Sequence, residues 1–284
     1  MDRQALIQII TEEINRYFSQ DNGKAVERPD NDAAVDILST EVKSRPLIEN
    51  PHDAQALLRM KKRTSARIGV GRAGPRLKTQ TMLTLRADHA KARGAVFADV
   101  SQELLDRLGL FKVQTMCDSK NTFITRPDLG RRLSQEAENT LRQKCVFQPD
   151  VQIYAADGLS STAIEANLER ILPILTDGLN QKGITTGTPF FMEYGRVAAE
   201  DHVADILKPK VVCVLIGERP GLTTAESMSA YIVYDAHWGI PESRRTAVSN
   251  IHKNGLAAVE AGAYIVDIIE EMLKQKKSGV ELVK

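Results

Sequence analysis

Cysteine, tryptophan and long apolar runs are scarce in this chain, and each scarcity excludes something. Three cysteines in 284 residues, Cys117, Cys145 and Cys213, are odd in number and far apart. That pattern supports neither a disulfide framework nor a CxxC metal site; three reduced, partly buried thiols in the cytosol are expected instead. No apolar run has the length needed to cross a bilayer. The N-terminus, MDRQALIQIITEE, lacks the basic start, unbroken apolar stretch and small-residue cleavage site of a secretory signal. An excess of one charge is missing too: 38 Lys and Arg face 37 Asp and Glu, a net charge of +1, which argues against a nucleic-acid-binding face.

Catalytic signatures are equally sparse. The five histidines, His52, His89, His202, His237 and His252, form no HxxxH or HExxH pair, so hydrogen-bonded or surface roles are expected before zinc ligation. There is no GxGxxG fingerprint, no Walker A sequence and no GxSxG elbow. The first two absences speak against a dinucleotide dehydrogenase and a P-loop enzyme. The single tryptophan, Trp238, lies in the YDAHWGIP loop, where loop packing is expected before a stacking platform.

What is present is an ordinary globular balance, 42% hydrophobic and 26% charged, in a chain long enough for two domains. Residues 1–18 place Leu6, Ile10, Ile14 and Phe18 at helical spacing, which predicts a short amphipathic helix. Polar residues rich in Asp, with Gly and Pro, follow, and 19–44 reads as a linker. A helix so tethered docks either on its own domain or on another protein.

Residues 45–145 read as a helical domain with no strand. Its first part is basic, with Arg59, Lys61, Lys62, Arg63, Arg67, Arg72, Arg76 and Lys78, and this run is either a solvated face or a site for acidic neighbours, a partner or a phosphate. Asp128 is a candidate N-cap for a helix carrying Leu129, Leu133, Ala137 and Leu141 on one face. The texture changes at Asp150. VQIYAA, the PFFMEY region, KVVCVLIG and SMSAYIVYDA are apolar runs alternating with helical segments, and residues from TAVSN onward are read as ending in one long helix. Apolar strands alternating with helices predict a mostly parallel sheet covered on both faces. Residues 146–284 are therefore expected to form a Rossmann-like α/β domain.

In open α/β sheets ligands bind beyond the carboxyl ends of strands. Two loops qualify. Asp157-Gly158-Leu159-Ser160 follows VQIYAA, with Gly158 permitting a tight turn and Ser160 able to cap the next helix. Gly217-Glu218-Arg219-Pro220-Gly221 follows VVCVLI and sets one acid and one base at a strand end. Either could be only a polar turn.

At these loops the sequence resembles the small (light) subunit of ethanolamine ammonia-lyase. The blocks that carry the resemblance include RMKKRTSARIGVGRAGPR, RADHA at 86–90, TRPDLGRRL at 125–133, ADGLSSTAI at 156–164, GTPFFMEYGRV at 187–197, LIGERPGLTTAESMSAY at 215–231 and SNIHKNGLAAVEA at 249–261. They run in order from about residue 45 to the end. The resemblance implies an enzyme that converts ethanolamine to acetaldehyde and ammonia by radical chemistry with adenosylcobalamin. It also implies a larger partner subunit that carries the catalytic residues, in equal numbers with this chain. This chain would hold the corrinoid at the interface, in the cytoplasm within an ethanolamine-utilisation microcompartment. Cofactor contacts carry over to Val197, Glu218 and Ala247, the last departing from a cysteine common in the family. Asp157, Gly158, Leu159, Ser160, Gly217 and Arg219 fall on loops near the same ligand. Residues 1–18 look like the peptides that dock cargo on microcompartment shells. No metal ligand and no catalytic residue is expected in the chain itself. The reading it competes with is a stand-alone Rossmann-type enzyme using a nucleotide cofactor; a ligand-free structural adaptor is a third.

Overall fold

The computed structural model describes residues 36–283. The expected amphipathic helix over 1–18 and most of the expected linker lie outside these residues. The last part of that linker is not featureless: α1, Thr40–Ser44, is capped by Ser39, whose hydroxyl accepts from Val42 N at 3.3 Å.

The basic segment forms α2, Ala54–Arg63, and a hairpin of β1, Arg72–Ala73, and β2, Arg76–Leu77, before the long α3, Thr79–Phe97. Acidic neighbours explain part of its charge. Asp88 on α3 is buried and is held by Lys43 Nζ at 2.7 Å and by Arg67; Lys78 pairs with Glu49. Arg72 and Arg76 remain exposed on the hairpin.

One six-stranded sheet organises the rest. After α4, Gln102–Arg107, comes β3, Phe111–Gln114, in a stretch expected to be purely helical. β3 is the edge strand of the main sheet and pairs in parallel with β5, Phe190–Glu193. It escaped sequence reading because it is only four residues long and buries just Val113, too little for an alternating pattern. Then follow α5, Lys120–Thr125, a 3₁₀ turn at Leu129–Arg131, and α6, Gln135–Lys144. The cap of α6 is Ser134, which accepts from Ala137 N at 3.2 Å, and not Asp128. Asp128 pairs instead with Arg126.

The centre is β4, Val151–Ala156, between β5 and β6, Val211–Gly217, all parallel. α7, Ser161–Gln181, joins β4 to β5, and α8, Ala199–Leu207, joins β5 to β6. β7, Met228–Tyr234, and β8, Thr246–Ile251, extend the sheet antiparallel, giving the order β3-β5-β4-β6-β7-β8. The expected mostly parallel α/β sheet is therefore present, with an antiparallel flank. β8 falls where one long helix was expected; α9 spans only Ala258–Gln275. Thr246–Ile251 buries only Val248 and Ile251, so its strand character comes from pairing with β7 and not from its own apolarity.

Strand periodicity sorts the core into two layers. Val151, Ile153 and Ala155 of β4, with Val211, Cys213 and Leu215 of β6, pack under α7 and α9. Tyr154, Ala156, Val212, Val214 and Ile216 face α6 and α8 on the other side. There Tyr154 stacks on Phe190, ring centroids 5.0 Å apart. Cys117 and Cys213 are buried and Cys145 is half-buried; all three are free thiols. Among the described residues no helix is long and apolar enough to cross a membrane.

Candidate functional site

The two-layer packing decides where a ligand can sit. The loop leaving β4 runs to α7 on one face, and the loop leaving β5 runs to α8 on the opposite face. Adjacent parallel strands whose loops part in this way leave a crevice at their carboxyl ends. A cleft of about 260 Å³ lies there. It is walled by Gly158 and Leu159 after β4, Gly195, Arg196 and Val197 after β5, Ile216 to Arg219 at the end of β6, Tyr231 of β7 and Phe123 of α5.

Two glycines make the floor possible. Gly158 has φ +54°, a left-handed conformation, and a Cβ there would overlap the Gly217 carbonyl oxygen. A Cβ on Gly217 would in turn overlap the Ser160 carbonyl. The loops after β4 and β6 are thus in backbone contact, sealed by Leu159 N donating to Gly217 O at 3.0 Å.

Six of the nine sequence-selected residues line this cleft: Gly158, Leu159, Val197, Gly217, Glu218 and Arg219. The other three stand behind or beside it. Ser160 is buried; its hydroxyl caps α7 by accepting from Ala163 N at 3.3 Å and donates to Ala225 O at 2.5 Å. Asp157 is buried, with Oδ2 2.7 Å from Lys120 Nζ and Oδ1 accepting from Tyr194 N at 2.7 Å. Burial pushes its carboxyl up, and Lys120 opposes that. Ala247 is exposed on β8, directly across the ladder from Tyr231.

Phe123, Gly195, Arg196, Ile216 and Tyr231 were missed by sequence reading. Arg196 lies next to Val197 in the YGRV block, so adjacency could have flagged it. Phe123 and Tyr231 come from elements distant in sequence, and nothing local marks them. Tyr231 Oη donates to Glu218 Oε1 at 3.1 Å; burial and the Glu218 charge push its phenol up to about 12. Arg196 lies over the Phe123 ring, 4.1 Å from its centroid, and donates to Phe123 O at 2.6 Å. Burial lowers its pKa, and Arg131 and Arg219 push the same way. The titratable side chains lining the cleft are therefore two guanidiniums, one carboxylate and one neutral phenol, against apolar walls of Phe123, Leu159, Val197 and Ile216.

A second cavity of about 550 Å³ lies among α1, α2 and α3, and touches the β6–β7 loop at Leu222 and Thr223. The basic segment contributes Lys61, Lys62 and Arg67 to it. Trp238 is half-exposed away from both cavities, with the Arg132 guanidinium 5.0 Å from its ring centroid. No group of three potential metal-ligating side chains occurs among the described residues.

Fold and cleft define an open-sheet α/β protein with a crevice at the carboxyl ends of its central parallel strands. The sequence model of the family described as ethanolamine ammonia-lyase light chain matches residues 54–283. The chain belongs to that family. It is 56% identical over 247 residues to the ethanolamine ammonia-lyase small subunit of Clostridium tetani, covering 87% of this chain and 84% of that protein. The corresponding subunit of Fusobacterium nucleatum is 52% identical over the same length, again with 87% and 84% covered. That of Clostridioides difficile is 48% identical over 254 residues, covering 89% and 87%.

Proposed function

We propose that this chain is the cofactor-holding subunit of an adenosylcobalamin-dependent ethanolamine ammonia-lyase, which converts ethanolamine to acetaldehyde and ammonia only together with a larger catalytic subunit. The observation that carries the reading is the cleft's small size set against its chemistry. A corrinoid with its nucleotide tail is far larger than 260 Å³, so the cleft suits one edge of it, and a second protein surface must cover the remainder. The lining suits such an edge. Apolar walls meet the ring periphery, Glu218 accepts from the peripheral amides, and Arg219 offers charge to the tail's phosphate. Glu218 is well placed for this, since only one of its oxygens takes a hydrogen bond among the described residues.

When bound, adenosylcobalamin supplies the radical through homolysis of its cobalt–carbon bond. This chain's residues bind, orient and shield it. Val197 and Leu159 cover its apolar edge. Gly158 and Gly217 keep the backbone low enough for close approach, and Ser160 and Asp157 hold the loop from behind. The cleft lining has no histidine, cysteine or lysine, which favours placing the reacting groups on the partner. The larger subunit is taken to be present in equal numbers. Residues 1–18 are taken to dock this chain on a microcompartment shell in the cytoplasm.

The test is acetaldehyde release by the purified chain alone, by the chain mixed with its large subunit, and by the mixture with adenosylcobalamin. Turnover is expected only with all three. Glu218→Ala should then weaken apparent cofactor affinity by about 1–3 kcal/mol, the usual cost of leaving a buried partner unsatisfied. Nicotinamide-dependent turnover by the chain alone would instead favour a stand-alone enzyme.

A further inference from the structure

The geometry points to Lys120 as a positioning residue for the cleft, acting through Asp157 and Tyr194 without touching the ligand; we infer this on the reading of the cleft as the adenosylcobalamin site. Lys120 opens α5, in the part of the chain expected to be a separate helical domain. Its ammonium is nonetheless buried at the carboxyl end of the sheet, 8% exposed and 2.7 Å from Asp157 Oδ2. The aromatic faces of Phe123 and Tyr194 flank it, with ring centroids 5.6 and 5.2 Å away.

What Asp157 does with its other oxygen gives the pair its meaning. Oδ1 accepts from the backbone N–H of Tyr194 at 2.7 Å. Tyr194 sits at φ +58°, a left-handed conformation that a bulky residue adopts only when its surroundings impose it. Thr115 Oγ1 holds its carbonyl at 3.0 Å from the other side. Tyr194 is the hinge from which Gly195, Arg196 and Val197 turn into the cleft. One carboxylate therefore ties the end of β4 to the end of β5 and imposes the strained turn, and Lys120 orients that carboxylate and opposes the pull of burial toward its neutral form.

α5 closes the arrangement a second time, since Phe123 supplies a cleft wall and its carbonyl accepts from Arg196. Without Lys120, Asp157 would be a buried unpaired charge. It would swing away toward water, releasing the Tyr194 N–H, because a buried carboxylate left unpaired is costly. The turn at 194–197 would then relax and that cleft wall would move.

The experiment uses the full chain assembled with its large subunit, with adenosylcobalamin varied and acetaldehyde release measured. Lys120→Met is expected to raise the KM for adenosylcobalamin by about tenfold or more. The kcat at saturating cofactor and the KM for ethanolamine should stay within about twofold, because the ligand's own contacts remain. Two double variants remove both buried charges and so protect the fold. Lys120→Met/Asp157→Asn keeps an acceptor for Tyr194 N–H, and its cofactor KM should lie within about threefold of the parent. Lys120→Met/Asp157→Leu has no acceptor, and its KM should rise by about tenfold. If Lys120→Met does not assemble, the two double variants alone decide.

Equal cofactor KM in the two double variants overturns the proposal. So does a Lys120→Met enzyme with a lower melting temperature and an unchanged cofactor KM, which would mark a merely structural ion pair. A parent enzyme whose rate ignores added adenosylcobalamin would defeat the proposed function; a cofactor-dependent parent with all variants alike would defeat only the role of Lys120.

Discussion

Ala247 lies directly across the β7–β8 ladder from Tyr231, the residue whose hydroxyl reaches Glu218. Opposed residues in an antiparallel pair project to the same face. Register alone therefore brings Ala247 beside the cleft, although it is exposed and contributes nothing to the core. The consequence is testable by size. Ala247→Trp should raise the cofactor KM of the assembled enzyme by about tenfold, with an unchanged melting temperature, because an exposed site tolerates bulk. Ala247→Cys should change it by less than about twofold, since a small packing contact survives either residue. A normal KM in the tryptophan variant would place Ala247 away from the ligand.

Arg245 is the anchor between the antiparallel flank and α8. Its side chain is 2% exposed and contacts Glu200 Oε2 at 3.1 Å, Asp201 Oδ1 at 2.8 Å and Glu242 Oε2 at 3.0 Å. Burial pushes the carboxyls of Glu200 and Asp201 up, and the guanidinium opposes this. Arg245→Met should destabilise the chain by about 3–5 kcal/mol in urea denaturation, because it strands two buried acids. The triple variant Arg245→Met/Glu200→Gln/Asp201→Asn should recover most of that loss. Equal stability of the single variant and the parent would show that the cluster is electrostatically neutral to folding.

Asp150 should make stability depend on pH in the acid range. Lys210 Nζ at 2.7 Å and Thr185, through N at 2.9 Å and Oγ1 at 2.6 Å, hold its carboxyl down at about 2. A carboxyl depressed on folding stabilises above its unfolded value, near 4, and that contribution is lost as pH falls toward the folded value. At pH 7 Asp150→Asn should cost about 1–2 kcal/mol, discounted for partial exposure. The gap to the parent should close between about pH 4 and pH 2. A gap that does not vary with pH would mean that Asp150 acts only as a hydrogen-bond acceptor.

Much of the fold was legible because long elements repeat their own signal. β4 and β6 are buried over their whole lengths, and α7 and α9 are long amphipathic helices, so their residues declare their state locally. The loops after β4 and β6 were legible as candidate cleft loops for the same reason: a glycine-containing turn after a buried parallel strand has few other places to go. β3 and β8 were not legible. Each is short and half-exposed, and each becomes a strand because a neighbour offers a free edge.

The sequence by itself therefore determined the α/β class, the family and the two loops that floor the cleft, since strand burial, helix periodicity and turn glycines are local properties. Only the tertiary structure decided what else the cleft is made of. Phe123 of α5 and Tyr231 of β7 reach it, and Lys120 reaches the acid behind it, by crossing from elements far apart in the chain. A residue's own neighbours in sequence carry no record of such encounters, because they are set by how layers stack and how strands register, and by the need of a buried charge such as Asp157 for a partner.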